Sequence, residues 1–486
     1  MEKKYLDLID EYREEMVRTL QELISIKSVA SEAVDNAPFG RGVQDAFEYM
    51  LKKAADEGFN TENINNYGGH IEFGGYILNA EGEVIGNGEE IMGILGHLDV
   101  VPEGKDWDYD PYGGQLIDDR IYGRGAIDDK GPTIAAFYAM KALKDSGVIP
   151  EKKVRLILGL DEETGWKGME YYLKNCKWPT LGFTPDGEYP AINGEMGILI
   201  FDLAKKINKL PANTKGIALR TVTGGNAANM VADHARAVIN ADSYDDIKHK
   251  LAEFRKSTDY RIDSKGFGKS LEISALGISS HGARPGSGLN AISILMKFLS
   301  KINFENEDVN EFINFYNAHI GFDLCGDSLG CGFEDEPSGK LILNVGMIKI
   351  DEGSASLTIN IRYPVTMSEE QVYDSILPVI NKYNLGIVKK SHQPPIYKPK
   401  DDEMICTLMD VYKRHSGDAD CEPIVIGGGT YARAVPNIIA YGASFPGDPS
   451  LAHQKNEYIT VTNLVKNAKI FADAIFELAG GQVRKV

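Results

Sequence analysis

Apolar residues at Leu6, Ile9, Tyr12, Met16, Leu20, Leu23 and Ile24 recur every three or four positions, so residues 1–25 predict an amphipathic helix packed on a sheet. Two short apolar runs rich in β-branched residues, IMGIL at 91–95 and VRLILGL at 154–160, predict buried strands. Between them GPTIAAFYAMKALKDSG carries Pro132, suited to a first helical turn, and stops at Gly147, which predicts a helix. Strand, helix, strand is βαβ logic and places this half of the chain in the α/β class. After Asp186-Gly187 the pattern changes. Residues 197–203 and 341–350 read as strands of partly alternating polarity, with helical patterns at 245–254 and 291–302, as in an α+β insert. The Pro-rich HQPPIYKP at 392–399 suits neither a central strand nor a helix and marks the return crossing; the outward crossing falls near Asn193. Val461, Leu464, Ala468, Phe471, Ile475 and Leu478 form a last apolar stripe that needs a sheet face to cover it. The expected division is therefore 1–193, an insert at 194–395, and 396–486 returning to the first domain.

Composition narrows the function classes. The chain has 486 residues, 43% hydrophobic and 25% charged, enough for two or three domains with ordinary cores. Its 52 basic against 71 acidic residues give a net charge of −19, which removes any electrostatic basis for binding nucleic acid or an anionic membrane. Five cysteines without a CxxC pair suggest neither a disulfide framework nor a thiolate zinc site, and fit a cytoplasmic protein. Acidic residues interrupt the N-terminal stretch, and no run of 18 apolar residues occurs, so neither export nor membrane insertion is expected.

Candidate chemistry gathers where predicted strands end. GHLDVVP puts His97 and Asp99 just past one strand, two residues apart and on one side, where the carboxylate could fix the imidazole tautomer of a metal ligand. A hydrogen-bonded loop histidine is the alternative. GRGAIDDKGP pairs Asp128 and Asp129 at a helix N-terminus, where capping could account for one of them. LILGLDEETGW ends the second strand with Asp161, Glu162 and Glu163, a crowd of carboxylates that burial would make costly without a cation. TPDGEYP adds Asp186 and FPGDPSLAHQKNEY adds His453, each by itself as readily a turn acid or a surface histidine. No GxxxxGK[ST] occurs, so Walker-type phosphate binding is excluded.

Taken together and in order, these motifs resemble the M20 family of metallopeptidases: GHLDVVP its His-x-Asp signature, GRGAIDDKG its bridging-aspartate loop, DEETG its Glu-Glu pair and SHGARPGSGLNAI its insert histidine loop. GGNAANMVAD, GGGTYAR and INIRYP bring the resemblance close to PepV-type dipeptidases, also called β-alanyl or carnosinase-like. The resemblance implies an α/β, mixed-sheet di-metal hydrolase domain interrupted by an enlarged α+β lid domain. It implies that Asp128 bridges two divalent ions, Zn²⁺ or alternatively Mn²⁺ or Co²⁺, with His97 and Asp186 on one and Glu163 and His453 on the other. It also implies a cis bond after Asp128, Glu162 as the base, Asp99 supporting His97, and His281 supplying an oxyanion donor on lid closure. Three carboxylates against two divalent ions leave +1, a charge suited to activating water.

Substrate selection rests on GGGTYAR, whose consecutive backbone N–H groups, Gly428, Thr430 and Tyr431 among them, could cradle a free carboxylate, and on Asn229 and Arg362 in the insert, which match substrate contacts of relatives. A tight turn and a structural ion-pair arginine are the corresponding alternatives. The expected activity is hydrolysis, by metal-activated water, of short peptides with free termini. The enlarged lid implies a monomer. An N-acyl amino acid deacylase would share the metal set and differ in its pocket. A noncatalytic binding descendant should have lost Glu162 or His281, and both are present.

Overall fold

The computed structural model describes residues 4–79, 83–211, 215–267 and 270–483. The expected first helix and the outer domain limits include 1–3 and 484–486, which lie outside those residues. Two compact units emerge: Met1–Asn193 with Lys398–Ile424 and Gly429–Val486, and Gly194–Tyr397 with Val425–Gly428.

The first unit is built on a mixed sheet whose centre is parallel. Strand Ile91–His97 lies between Lys153–Gly159 and Leu181–Thr184, and Ile438–Ala440 follows, all parallel. Gly69–Gly74 and Asn60–Asn63 add antiparallel strands on one side, and Ile192 pairs antiparallel with Ala440 on the other. Parallel strands need both faces covered, and every residue of Ile91–His97 is buried. Helix Lys130–Asp145 packs on this strand and is buried from Lys130 to Leu143. Its outer side is covered by Lys4–Glu11, Arg13–Ser25 and Val461–Leu478.

That arrangement corrects two expectations. The N-terminal pattern forms two helices with a break at Tyr12, and their main packing is on helix Lys130–Asp145 rather than on a sheet. The last helix also packs chiefly on Lys130–Asp145, reaching the sheet through Phe471, whose ring lies 5.3 Å from that of Phe183. A helix buried on all sides offers an apolar face outward as well as inward, so a stripe in sequence does not say which kind of element covers it.

The second unit is an eight-stranded antiparallel sheet in the order Arg261–Phe267, Ser270–Leu276, His234–Asn240, Ala218–Gly224, Ile342–Ile350, Ser354–Tyr363, Gly197–Lys206, Gly386–Gln393. Its core joins Leu199, Phe201, Leu203, Leu357, Ile359 and Ile361 to helices Asp245–Ser257, Ala291–Leu299, Glu307–His319 and Glu369–Asn381. The Pro-rich segment is more regular than expected: His392 and Gln393 end an edge strand, and Ile396–Tyr397 pairs briefly beyond the two prolines. Edge positions tolerate proline because one row of amide groups needs no partner.

Candidate active site

Three adjacent parallel strands deliver the candidate residues at their carboxyl ends, where open α/β sheets collect ligands. His97 is the last residue of Ile91–His97, Asp161 to Glu163 follow Lys153–Gly159, and Asp186 follows Leu181–Thr184. Thr184 secures the last of these, donating its hydroxyl to the Leu95 carbonyl (2.6 Å) and accepting the Asp186 amide (3.3 Å). Asp128 stands just before helix Lys130–Asp145, and the Asp128–Asp129 peptide bond is cis. His453 comes from a loop of the C-terminal segment, with a positive φ of 61°.

The side chains converge as two groups of three sharing one member. Ligand atoms of His97, Asp128 and Asp186 lie within 4.8 Å of one another, as do those of Asp128, Glu163 and His453. The Asp128 carboxylate faces both ways, with Oδ1 3.0 Å from His97 Nε2 and Oδ2 3.2 Å from His453 Nε2. Glu163 Oε2 is 3.0 Å from His453 Nε2, and Asp186 Oδ2 is 3.9 Å from His97 Nε2.

The donor chemistry fits a pair of divalent ions. Nδ1 of His97 is 3.0 Å from the Asp99 carbonyl, which can only accept, so the ring proton sits on Nδ1 and the Nε2 lone pair faces the carboxylates. Acceptors facing acceptors require a cation between them. The crowding also shows in the proton affinities of these groups. Burial, opposed by the carboxylates of Asp128 and Asp99, leaves His97 well above its ordinary value, and contacts with Asp128 and Glu163 raise His453 to about 10. Burial and the Asp128 charge push Asp186 well above the usual carboxylate range. Burial, together with Glu163 and Asp99 and against His97, raises Glu162 to about 7.

Asp99 does more than the expected carboxylate support of His97, whose Nδ1 lies 3.6 Å from its Oδ1. Its backbone carbonyl orients the imidazole, while its fully buried carboxylate accepts the amides of Glu162 and Glu163 at 3.1 Å each. The three consecutive acids do not crowd together. Asp161 turns inward to accept the Gly168 amide (3.0 Å), Glu162 accepts the Trp166 indole N–H (3.3 Å), and Glu163 faces His453. Asp129 occupies the helix N-cap position without capping it; its Oδ2 accepts from the Thr133 hydroxyl and the His97 amide.

In the second unit, Met230 and His281 form an antiparallel bridge, and the Asn229 carbonyl accepts the Gly282 amide at 2.6 Å. Buried Asn344 steadies this segment by donating to the carbonyls of Ala228 and Met230, both at 3.0 Å. His281 is exposed, and its Nδ1 accepts the Ala283 amide (3.2 Å), which leaves the proton on Nε2. Burial, Arg362 and Arg284 lower its pKa, so the ring is neutral at pH 7. It does not cap helix Ala291–Leu299, whose first turn is held by the Asn290 side chain. Arg362 is buried in its strand and donates through Nε to Asn360 (3.0 Å).

The GGGTYAR segment is divided between the units, with Gly428 in the second and Thr430 and Tyr431 in the first. Thr430 caps a short turn by accepting the Ala432 amide. The Tyr431 side chain has a place of its own, apart from the backbone N–H groups expected to form the cradle. It is fully buried, its ring edge-on to His97 at 5.8 Å and 5.9 Å from Trp166, so it packs behind the His97 ring. Residue types gave no hint of the parts played by Trp166, Tyr431, Asp129 or Thr184.

Comparison with known proteins agrees with this geometry. The model of Peptidase family M20/M25/M40 matches residues 93–477, and the chain belongs to this family of peptide-bond hydrolases. It is similar to a Bacillus subtilis (strain 168) protein named "Putative dipeptidase YtjP", 38% identical over 470 residues, covering 96% of this chain and 98% of that protein. A Staphylococcus aureus (strain bovine RF122 / ET3-1) protein, "Putative dipeptidase SAB1611c", is 36% identical over 474 residues, 97% of this chain and 98% of its own. Among solved structures, the aminoacylhistidine dipeptidase of Vibrio alginolyticus shares the fold with a TM-score of 0.54 at 15% identity, covering 95% of each chain. A Staphylococcus aureus tripeptidase shares it with a TM-score of 0.54 at 12% identity, covering 96% of this chain and 99% of that one.

Proposed function

We propose that the protein is a metal-dependent dipeptidase that cleaves the peptide bond of dipeptides bearing free amino and carboxyl ends. The observation that carries this reading is Asp128, whose two carboxylate oxygens each face a separate histidine-and-carboxylate group, beside a Glu162 that belongs to neither group. His97 and Asp186 would hold one divalent ion, Glu163 and His453 the other, and Asp128 both. Zn²⁺ is the favoured metal, with Mn²⁺ or Co²⁺ as alternatives. Ions bound here would polarise the scissile carbonyl and lower the pKa of water from about 15.7 towards about 7.

The chain's own residues do the rest. Glu162 takes a proton from the attacking water as its oxygen bonds to the carbonyl carbon, then passes that proton to the amide nitrogen as the C–N bond breaks. Asp99, by gripping the Glu162 and Glu163 amides, fixes where that carboxylate starts. Neutral His281, with its proton on Nε2, would donate to the oxygen that gains charge. Asn229, Arg362, Gly428 and Thr430 are assigned to the substrate's polar ends, and Tyr431 to support of His97. The names of the two relatives described above support a dipeptidase over an N-acyl amino acid deacylase.

A monomer in the cytoplasm, without nucleic acid or membrane partners, completes the proposal. The setting and the lack of such partners are supported by five unpaired cysteines, the net charge of −19, and the absence among the described residues of a helix long and apolar enough to cross a membrane; the monomer rests on the size of the insert. The test is hydrolysis of free dipeptides beside their N-acetylated forms and N-acyl amino acids, with protein reloaded with Zn²⁺ or Mn²⁺. Cleavage of the free dipeptides is expected; preference for the acylated compounds overturns the assignment.

A further inference from the structure

A buried ion pair that belongs to neither metal group holds the main chain of the shared aspartate. Glu457 is completely buried, and its Oε2 lies 2.5 Å from Arg124 Nη1. Its Oε1 accepts two successive backbone amides, those of Ile127 (2.9 Å) and Asp128 (3.2 Å). Arg124 is anchored in turn: its guanidinium lies 5.3 Å from the Trp107 ring centre, and its own amide bonds to the Pro111 carbonyl at 2.7 Å. The Glu457 carbonyl accepts the Gly123 amide (2.9 Å), and strand Tyr458–Thr460 pairs antiparallel with Arg120–Tyr122.

These bonds join two parts of the chain more than 300 residues apart in sequence. One part carries Asp128, the other His453. Neither strand pairing nor apolar packing would need a charge here, and a buried carboxylate is costly unless each oxygen has donors. Both oxygens do, and among the donors are the two amides that set the path of the Asp128 backbone.

We infer that Glu457, braced by Arg124, is a positioning residue that sets the bridging carboxylate in register with His453, so that both metal ions depend on it. This rests on the reading of Asp128 as a ligand shared by two ions. Glu457→Gln keeps the shape but turns one acceptor into a donor that faces N–H groups. Because Asp128 serves both groups, its displacement loosens both ions together.

The experiment titrates the full-length, chelator-stripped chain with Zn²⁺ against a competing chelator, and follows its thermal unfolding without metal. Glu72→Gln serves as the control, because it breaks another ion pair, between half-buried Glu72 and buried Arg155 at 2.6 Å, that touches no candidate ligand. Glu457→Gln is expected to weaken both Zn²⁺ sites about 10–100-fold, as loss of a supporting partner of a metal ligand does. Glu72→Gln should lower the melting temperature comparably while leaving Zn²⁺ affinity within about twofold. If Glu457→Gln fails to fold, Arg124→Lys, which keeps the charge and loses the planar fork, is expected to weaken both sites in the same direction but less. Unchanged affinity in the Glu457 or Arg124 variant, or an equal loss in Glu72→Gln, overturns the inference. A parent chain that takes up no Zn²⁺ overturns the two-ion reading itself, which separates the two failures.

Discussion

At the scale of single residues, chemistry was legible where a side chain type is rare in its setting, and hidden where it acts through the backbone. His97, Asp128, Glu163, Asp186 and His453 each had an ordinary reading alone and became visible as an ordered set of motifs, and the structure brings their atoms together. Asp99 was visible beside His97 but only in part, since only coordinates reveal that its carboxylate also grips two amides and that its carbonyl bonds to the ring. Glu162→Gln removes the proposed proton carrier without removing a ligand, so turnover should fall at least about 10²-fold while metal uptake persists; rate assays and metal analysis on one preparation check this. His281→Ala should cost about 10²–10³ in kcat through loss of the Nε2 donor, measured by steady-state kinetics.

A residue far from the site supplies a pH prediction. His70 is buried, accepts the Tyr172 hydroxyl at Nδ1 (3.0 Å), and has its pKa pushed down to about 4, chiefly by burial and then by Arg155. The unfolded chain takes up this proton near pH 6.5 and the folded chain only near pH 4. Stability from this group is therefore complete above about 6.5 and lost as pH falls towards 4, by about 3 kcal/mol. Urea unfolding across that window should show the loss, and His70→Gln should flatten its slope.

At the scale of elements, strands and helices with one dominant period were readable. The runs at 91–95 and 154–160 became Ile91–His97 and Lys153–Gly159, and the helix after Pro132 became Lys130–Asp145. What was not readable is what each face meets, because an apolar stripe fits a helix or a sheet equally well. The contact between strand Ile91–His97 and helix Lys130–Asp145 is close enough to need glycine. A Cβ at Gly96 would fall 2.2 Å from Thr133 Oγ1 and 3.2 Å from Asp129 Oδ2. Gly96→Ala should therefore push the helix start away and destabilise the chain by about 1–3 kcal/mol, as measured by chemical unfolding.

At the scale of the whole molecule, the sequence pattern separated an α/β part from an α+β insert because their periodicities differ. The short excursion of Val425–Gly428 into the second unit left no such mark, being only four residues long. Its consequence is that GGGTYAR, one motif in sequence, contributes to two units. The first unit also carries the charge problem that defines the protein: three carboxylates and two imidazoles brought together at the ends of parallel strands and in two loops. Ions that relieve it should stabilise the fold, by about 4 kcal/mol for an ion present at a thousand times its Kd. Calorimetric melting with and without chelator measures that difference.

The central claim is that Asp128 is shared by two metal ions. It is tested most directly by counting Zn²⁺ bound per chain in the parent, Asp128→Asn and Asp186→Asn. Two ions in the parent, both weakened by Asp128→Asn and only one by Asp186→Asn, is the predicted result. A single ion in the parent, or two that survive Asp128→Asn with unchanged affinity, would contradict it.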